Sequence, residues 1–367
     1  MELPVLLSQG GFEVDIYAEP GSWVLKNSFY KRHIPAAADP DIFVDELMAM
    51  VAAAPDAYDW IIPGDDIVIR MLNERITDEA TFYRFMPLVN IDHRSILGTK
   101  SGLSQLCSRY NITTPGYAVY SDGMSIADIA TAVPFPMMVK EDMSEGGYGV
   151  YICHNESELG QTINSIQNRR NLVFQQYIKG PEINTEVLFH KGQLMVYSYS
   201  ERLDCFGQFG VSTSRIYYNN PAMEAELSHI GKTLGLSGFG NVVFMLNERD
   251  NKHYLIEVDM RPNSWMFYGQ YTGNDFAKAI AQIAAGTLQP VRPDSTLPNK
   301  RKVIALYKKD IYRCLVHKDV KGLLKWTVNW SQRWRYIPRY DKTLLNASTD
   351  FLLTTFADMV KGKLKRA

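Results

Sequence analysis

Short apolar runs bounded by Gly, Pro and Asp alternate, in the first third of the chain, with stretches whose apolar residues recur every third or fourth position. Glu2–Gln9 reads as a helix and Phe12–Ala18 as a short strand. Asp41–Ala54 predicts a helix, with Asp39 or Asp41 as N-cap and Ile42, Phe43, Leu47 and Met50 on its apolar face. Asp59–Ile62 predicts a strand that ends in Pro63-Gly64-Asp65-Asp66, where either aspartate can cap a helix over Ile67–Asn73. This βα alternation points to a parallel sheet. A doubly wound domain ordinarily opens with a strand and a glycine turn, whereas this sequence opens in a helix. The expectation is therefore a domain without its first strand, or a sequence that starts late.

Further along, residues 95–110 predict an amphipathic helix ending before Pro115. The stretch 135–153 reads as strand, glycine-rich loop, strand; helix 156–168 and strand Leu172–Gln176 follow. Residues 183–201 alternate as a hairpin turning at His190-Lys191-Gly192. A helix over 221–235, strands 241–246 and 253–258 around a turn at Glu248–Lys252, and a helix over 274–286 complete the pattern. Pro290, Pro293 and Pro298 mark a linker. There is no internal repeat.

Composition narrows the class. With 367 residues, 46% of them hydrophobic and 22% charged, the chain is long enough for two or three domains and is not a disordered or fibrous sequence. No apolar run reaches the ~18 residues of a membrane span, and the N-terminus lacks a signal-peptide pattern, so a cytoplasmic protein is expected. The net charge of −1 conceals a split: residues 300–367 hold 17 Lys+Arg and 5 Asp+Glu, a net of +12 against −13 elsewhere. The tail needs acidic company: the body, a second copy of the chain in a homodimer, or an anionic membrane surface. Trp326, Trp330 and Trp334 share one helical stripe beside Lys321, Lys325, Arg333, Arg335 and Arg339, which suits packing on the body first and a membrane second. No nucleic-acid module is present, and none is expected as a partner. Cys107, Cys153, Cys205 and Cys314 form no C-x-x-C pair and read as reduced structural thiols.

Three segments carry chemistry. Phe135-Pro136-Met137-Met138-Val139-Lys140 places a lysine at a strand end, ahead of Glu145-Gly146-Gly147-Tyr148-Gly149-Val150. A lysine point charge and glycine-rich backbone N–H groups together can grip a polyphosphate, although such a loop is as often a plain hairpin turn. Gln175-Gln176-Tyr177-Ile178 ends a strand whose backbone at Gln176 and Ile178 can read an adenine edge, with Glu182 placed to accept from ribose hydroxyls. Ile256-Glu257-Val258-Asp259-Met260-Arg261 puts Glu257 and Asp259 on one strand face. Two carboxylates on one face suit Mg²⁺ with substrate phosphates, and Arg261 continues that face as an anion clamp.

In order and spacing these segments resemble the ATP-grasp superfamily over about residues 85–290, in the carbamoyl-phosphate synthetase and biotin carboxylase branch. The resemblance implies an α/β (α+β) ATP-grasp fold. It would comprise an N-terminal Rossmann-like parallel-sheet domain over 1–97 lacking its usual first strand, and an ATP-grasp domain over 98–290. The latter would divide into a lid of about 115–178 and a larger part of about 179–290; a basic accessory segment over 300–367 would follow. It also implies ATP and Mg²⁺ as cofactors. Lys100 and Lys140 would hold phosphates under the mobile loop of Glu145, Gly146, Gly147 and Gly149, and Gln175, Gln176, Tyr177, Ile178, Glu182 and Ile256 would bind the nucleoside. Glu257 and Asp259 would bind the metal, and Arg261 and Lys140 would act in catalysis. The sequence departs from the pattern at Glu141 (usually proline), at Gln175-Gln176 (commonly with a glutamate), at Asp259 (usually asparagine) and at Val243, where a metal ligand is expected.

The implied reaction is ligation: a small-molecule carboxylate becomes an acyl phosphate, and an amine or thiol displaces phosphate. Arg215 is a second arginine that could hold the acceptor, or simply a salt-bridge residue. The alternative, motivated by Val243, is a regulatory nucleotide-binding protein with little catalysis.

Overall fold

Side-chain caps fix where the helices start in the computed structural model, which describes residues 2–144, 146–167, 172–293, 299–328 and 336–361. Asp39, Asp65, Asp78, Thr99, Ser125, Asn155, Asp275 and Asp341 each accept from the first-turn N–H groups of the helix they precede. In chain order the elements begin with α1 (Leu3–Gln9), β1 (Asp15–Ala18), β2 (Arg32–Pro35), α2 (Pro40–Ala53), α3 (Asp66–Arg75), α4 (Glu79–Phe85) and α5 (Lys100–Arg109). Then come β3 (Tyr117–Val119), α6 (Ile126–Ala132), β4 (Met137–Glu141), β5 (Val150–Cys153), α7 (Glu156–Ser165) and β6 (Leu172–Gln176). The large sheet follows with β7 (Glu182–His190), β8 (Gln193–Cys205), β9 (Ser212–Tyr217), α8 (Met223–Leu234), β10 (Gly238–Leu246), β11 (His253–Asp259) and α9 (Phe276–Ala284). The last elements are β12 (Lys302–Ala305), α10 (Tyr307–Val316), α11 (Val320–Val328) and α12 (Lys342–Val360).

Three sheets result. β1 and β2 form a two-stranded parallel pair, β3-β6-β4-β5 an antiparallel four-stranded sheet, and β11-β10-β7-β8-β9-β12 an antiparallel six-stranded sheet. One face of the large sheet, with Ile183, Val187, Tyr199, Val242, Phe244 and Leu255, packs on helices of the N-terminal region and α8. The opposite face carries Asn184, Glu186, Ser198, Asn241, Glu257 and Asp259; a bulge in β11 between Leu255 and Glu257 shifts the register, so these two face opposite ways.

Two expectations are corrected. Asp59–Ile62 is extended but is not a strand: no backbone hydrogen bond pairs Asp59–Pro63 with a neighbour among the described residues. A channel of about 700 Å³, lined by Ile16, Ala18, Phe43, Leu47, Ile61 and Val68 among others, runs between it and β1. Tyr58 reaches across, its hydroxyl 3.5 Å from Asp15. The helix over 95–110 is two elements, a 3₁₀ turn at Ile91–Ile96 and α5. Gly98 at φ +87° breaks the run, and Thr99 caps anew by accepting from Gly102 N–H. A 3₁₀ turn at Met266–Thr272 was not anticipated. Nor was β12, whose short apolar run is flanked by basic residues; it pairs with β9 and carries the chain after the prolines back into the main sheet.

The described part of the basic segment docks on the body. Asp310 is buried and accepts from Trp326 Nε1 (2.7 Å), Thr213 Oγ1 (2.8 Å) and Arg313 (3.1 Å). Arg301 pairs with Glu201, and Lys308 lies over the Trp23 ring. Trp326 is thus a packed residue; Trp330 and Trp334 lie outside the described residues. Asp310→Ala is expected to cost about 2–3 kcal/mol, because it strips partners from a buried indole N–H and a buried guanidinium. Urea unfolding measures this, and a loss under 1 kcal/mol would mean the network does not hold the segment. Among the described residues no helix is long and apolar enough to cross a membrane. The four cysteines are free.

Candidate functional site

The cleft between the four-stranded and six-stranded sheets collects most of the residues singled out in the sequence. β4 is an interior strand, and Lys140 near its end donates to Gln175 Oε1 on β6 at 2.6 Å. Its surroundings strip water from the ammonium and push its pKa down to about 8, against the pull of Glu257 and Glu182. Lys100 enters from the first turn of α5. Its ammonium donates to the carbonyls of Glu141 (3.0 Å), Asp142 (3.2 Å) and Ser144 (2.6 Å), so it braces the start of the glycine loop. Desolvation lowers its pKa too, while Glu257 and Asp142 act to raise it.

The loop itself requires glycine. Gly146, Gly147 and Gly149 all have positive φ, and a Cβ on Gly147 would lie 2.1 Å from the Phe209 carbonyl oxygen. Glu145 lies outside the described residues.

On β11 the alternation places Glu257 and Asp259 on the cleft face as expected. Glu257 is open to solvent at the cleft floor, yet protein surrounds it closely enough that burial raises its pKa, with Lys100 and Lys140 opposing. Asp259 is raised well above the usual range by burial, with Asp66 and Glu257 adding to the effect and Arg261 opposing it. Arg261 ion-pairs with Asp259 (NH2 to Oδ2, 3.1 Å) and with Asp66 (Nε to Oδ2, 2.7 Å). Ile256 lines the same small cavity as Lys100, Glu257 and Arg261.

Asp66 was missed. The doubled Asp65-Asp66 was the available signal: Asp65 alone caps α3, accepting from Ile67 and Val68, which frees Asp66 for Arg261.

Val243 faces Glu257 across the β10–β11 pairing and is buried, so the position lies on the site's face and carries no ligand. The amide of Asn241, opposite Asp259, was also missed. Its Nδ2 donates to Asn184 Oδ1 (3.1 Å), while its own Oδ1 is buried without a hydrogen-bond partner.

At the nucleoside end, Gln176 N–H donates to Gly116 O (2.7 Å) and Tyr177 N–H to Pro136 O (3.3 Å). Ile178 N–H has no such bond among the described residues and is a free donor beside a buried side chain. Gln175 is buried and holds Lys140 instead of reaching outward. Glu182 accepts from Asn184 (3.1 Å) and pairs with Arg202 (3.0 Å), a partner that sequence reasoning did not find. Arg215, considered for the acceptor, is buried in a 2.5 Å ion pair with Glu186, donates to Ser212 and lies over the Trp265 ring. Its charge is already matched inside the protein.

These donors fit a magnesium nucleotide. Two raised carboxylates and an orphaned amide oxygen share one face, with two desolvated lysines opposite. Among the described residues no group of three or more His, Cys, Asp or Glu is placed to hold a metal ion; a hard cation bound by two carboxylates ordinarily takes further oxygens from substrate phosphates.

The profile of the carbamoyl-phosphate synthase L chain, ATP binding domain, matches residues 104–290. The carbamoyl phosphate synthase large chain of Kineococcus radiotolerans is 22% identical over 214 residues, covering 55% of this chain and 19% of that protein. This chain thus spans under two thirds of that relative. Among solved structures, the biotin carboxylase domain dimer of Hydrogenobacter thermophilus 2-oxoglutarate carboxylase, with MgADP, ADP and bicarbonate, aligns with a TM-score of 0.59 at 18% identity. That alignment covers 79% of this chain and 68% of the other. An ADP complex of N5-carboxyaminoimidazole ribonucleotide synthetase aligns with a TM-score of 0.63 at 13% identity, covering 87% and 82%. At such identities the likeness to the structures is one of fold.

Proposed function

We propose, from the premise that the chain belongs to the carbamoyl-phosphate synthase L chain ATP-binding domain family of the ATP-grasp superfamily, that it is a ligase which spends ATP to activate a small carboxylate for attack by an amine. The observation that carries this is the convergence of Lys100, Lys140, Glu257, Asp259 and Arg261 on one cleft.

Phosphoryl transfer asks for positioning and charge neutralisation more than for covalent chemistry. Lys140, charged once phosphate replaces the water it has lost, and Lys100 hold the polyphosphate. The backbone at Gly146–Gly149 closes over it and keeps water from the acyl phosphate. Ile178 N–H and Glu182 orient the nucleoside. Glu257 and Asp259, with Asn241 Oδ1 beside them, would hold Mg²⁺, which supplies charge neutralisation between the phosphates. Arg261 clamps the acceptor carboxylate and steadies the charge on the transferred group. The amine then displaces phosphate from the acyl carbon. The basic segment over 300–367 serves as an accessory part, docked on the body or shared with a second copy, and an anionic membrane is its next partner.

ADP release measured against a panel of carboxylates and amines tests the reading; carboxylate-dependent release supports it. MgATP binding with no acceptor-dependent turnover would instead favour the regulatory alternative, for which Val243 in a ligand position is the specific observation.

Glu257→Gln and Asp259→Asn are each expected to raise the Mg²⁺ concentration needed for half-maximal nucleotide binding by about tenfold, the loss of one charged ligand contact. Binding titrated against Mg²⁺ shows this, and curves unmoved in both variants would end the metal assignment.

A further inference from the structure

α3 touches both ends of the proposed reaction centre. Asp66, its first residue, is spared from capping by Asp65 and sits 2.7 Å from Arg261 Nε. Arg70, four residues on and so on the same helix face, donates from NH1 to the Met143 carbonyl at 3.0 Å. Met143 lies in the same turn whose carbonyls at Glu141, Asp142 and Ser144 are held by Lys100. The stem of Arg70 packs against the turn before α5: a Cβ on Gly98 would lie 2.6 Å from Arg70 Cγ, and Gly98 has φ +87°. Between these groups lies a cavity of about 100 Å³ lined by Asp66, Arg70, Lys100, Ser144, Asp259 and Arg261 among others. One short helix thus links the acceptor-side arginine and the root of the phosphate loop, and each link is a charged side chain.

We infer that α3 couples the two, with Asp66 and Arg70 as positioning residues: Asp66 sets Arg261, Arg70 sets the loop, and a change at either end moves the other. This rests on the nucleotide reading above. An anionic acceptor arriving at Arg261 competes with Asp66 for the guanidinium. Releasing Asp66 frees the start of α3, and the shift reaches the loop through Arg70. Coupling between sites needs such an element with two arrangements that both sites bias.

The test is a double-mutant cycle on the full-length chain, read by hydrogen exchange of the Gly146–Val150 amides with MgADP as the probe ligand. MgADP should slow these amides in the unaltered protein. Asp66→Asn and Arg70→Met should each speed them about five- to tenfold, the effect of one partly buried charged contact. The double variant should be no faster than the faster single, and Asp66→Glu should return exchange to within about twofold of the unaltered protein. If Asp66→Asn leaves the loop amides unchanged while MgADP still slows them, the coupling is wrong and the nucleotide reading stands. Rates that multiply in the double variant also overturn it, because the two residues then act independently. If MgADP neither binds nor slows the loop in the unaltered protein, the nucleotide reading fails and the coupling falls with it.

Discussion

Lys140→Ala is expected to weaken MgATP binding by about a hundredfold, the ~3 kcal/mol at the upper end for a charge-assisted contact made away from water. The lysine is at the end of an interior strand, with Gln175 fixing its ammonium and Glu257 and Glu182 close enough to act on its charge. Lys100 makes its own contact from the start of the loop, where it also donates to three carbonyls, so it does not replace the charge lost at position 140. Its depressed pKa adds a signature. With the free protein's lysine titrating at about 8, polyphosphate selects the charged form. Affinity is therefore full below pH 8 and falls as pH rises above it, by roughly tenfold per unit for one proton taken up. Calorimetry near pH 8 in buffers of different ionisation enthalpy should show that uptake in the unaltered protein and lose it in Lys140→Ala. Unchanged affinity in the variant would remove the lysine from the site.

Arg215→Met should produce the largest loss of stability, about 3–5 kcal/mol, the cost of leaving one member of a buried ion pair alone. Glu186 is fully buried and its other oxygen is engaged by Ser198 at 3.1 Å, so it cannot turn to water. Trp265 and Tyr217 close over the pair. Removing both charges, in Arg215→Met/Glu186→Gln, should recover much of the loss, since no bare charge remains. Urea unfolding of the three variants is the measurement. A double variant as unstable as Arg215→Met would show that packing on Trp265, and not the unpaired carboxylate, sets the cost.

Both predictions start from residues visible in the sequence, but they differ in how far the sequence could take them. Lys140, Gly146–Gly149, Glu257, Asp259 and Arg261 were legible because their chemistry is local. A period of two puts 257 and 259 on one face of the strand, with Arg261 two residues past its end, and glycines permit the positive φ that the loop needs. Their order along the chain was enough to identify the superfamily and the nucleotide chemistry.

Other features depended on which distant segments meet. Arg215 stood open between an acceptor-holding arginine and a salt-bridge residue until β7 brought Glu186 beside it, and where Trp326 packs was open until Asp310 took its indole N–H. Asp66 looked like one of two interchangeable caps until α3 docked beside Arg261. Asp59–Ile62 has a strand's composition but lacks a strand's neighbour, because pairing is a property of two segments and one sequence run cannot reveal its absence. The sequence by itself determined the chemistry each residue could offer, since that follows from side-chain type and local backbone period. Only the tertiary structure decided which charges were already spent on one another, since burial and pairing arise from contacts between residues far apart in the chain.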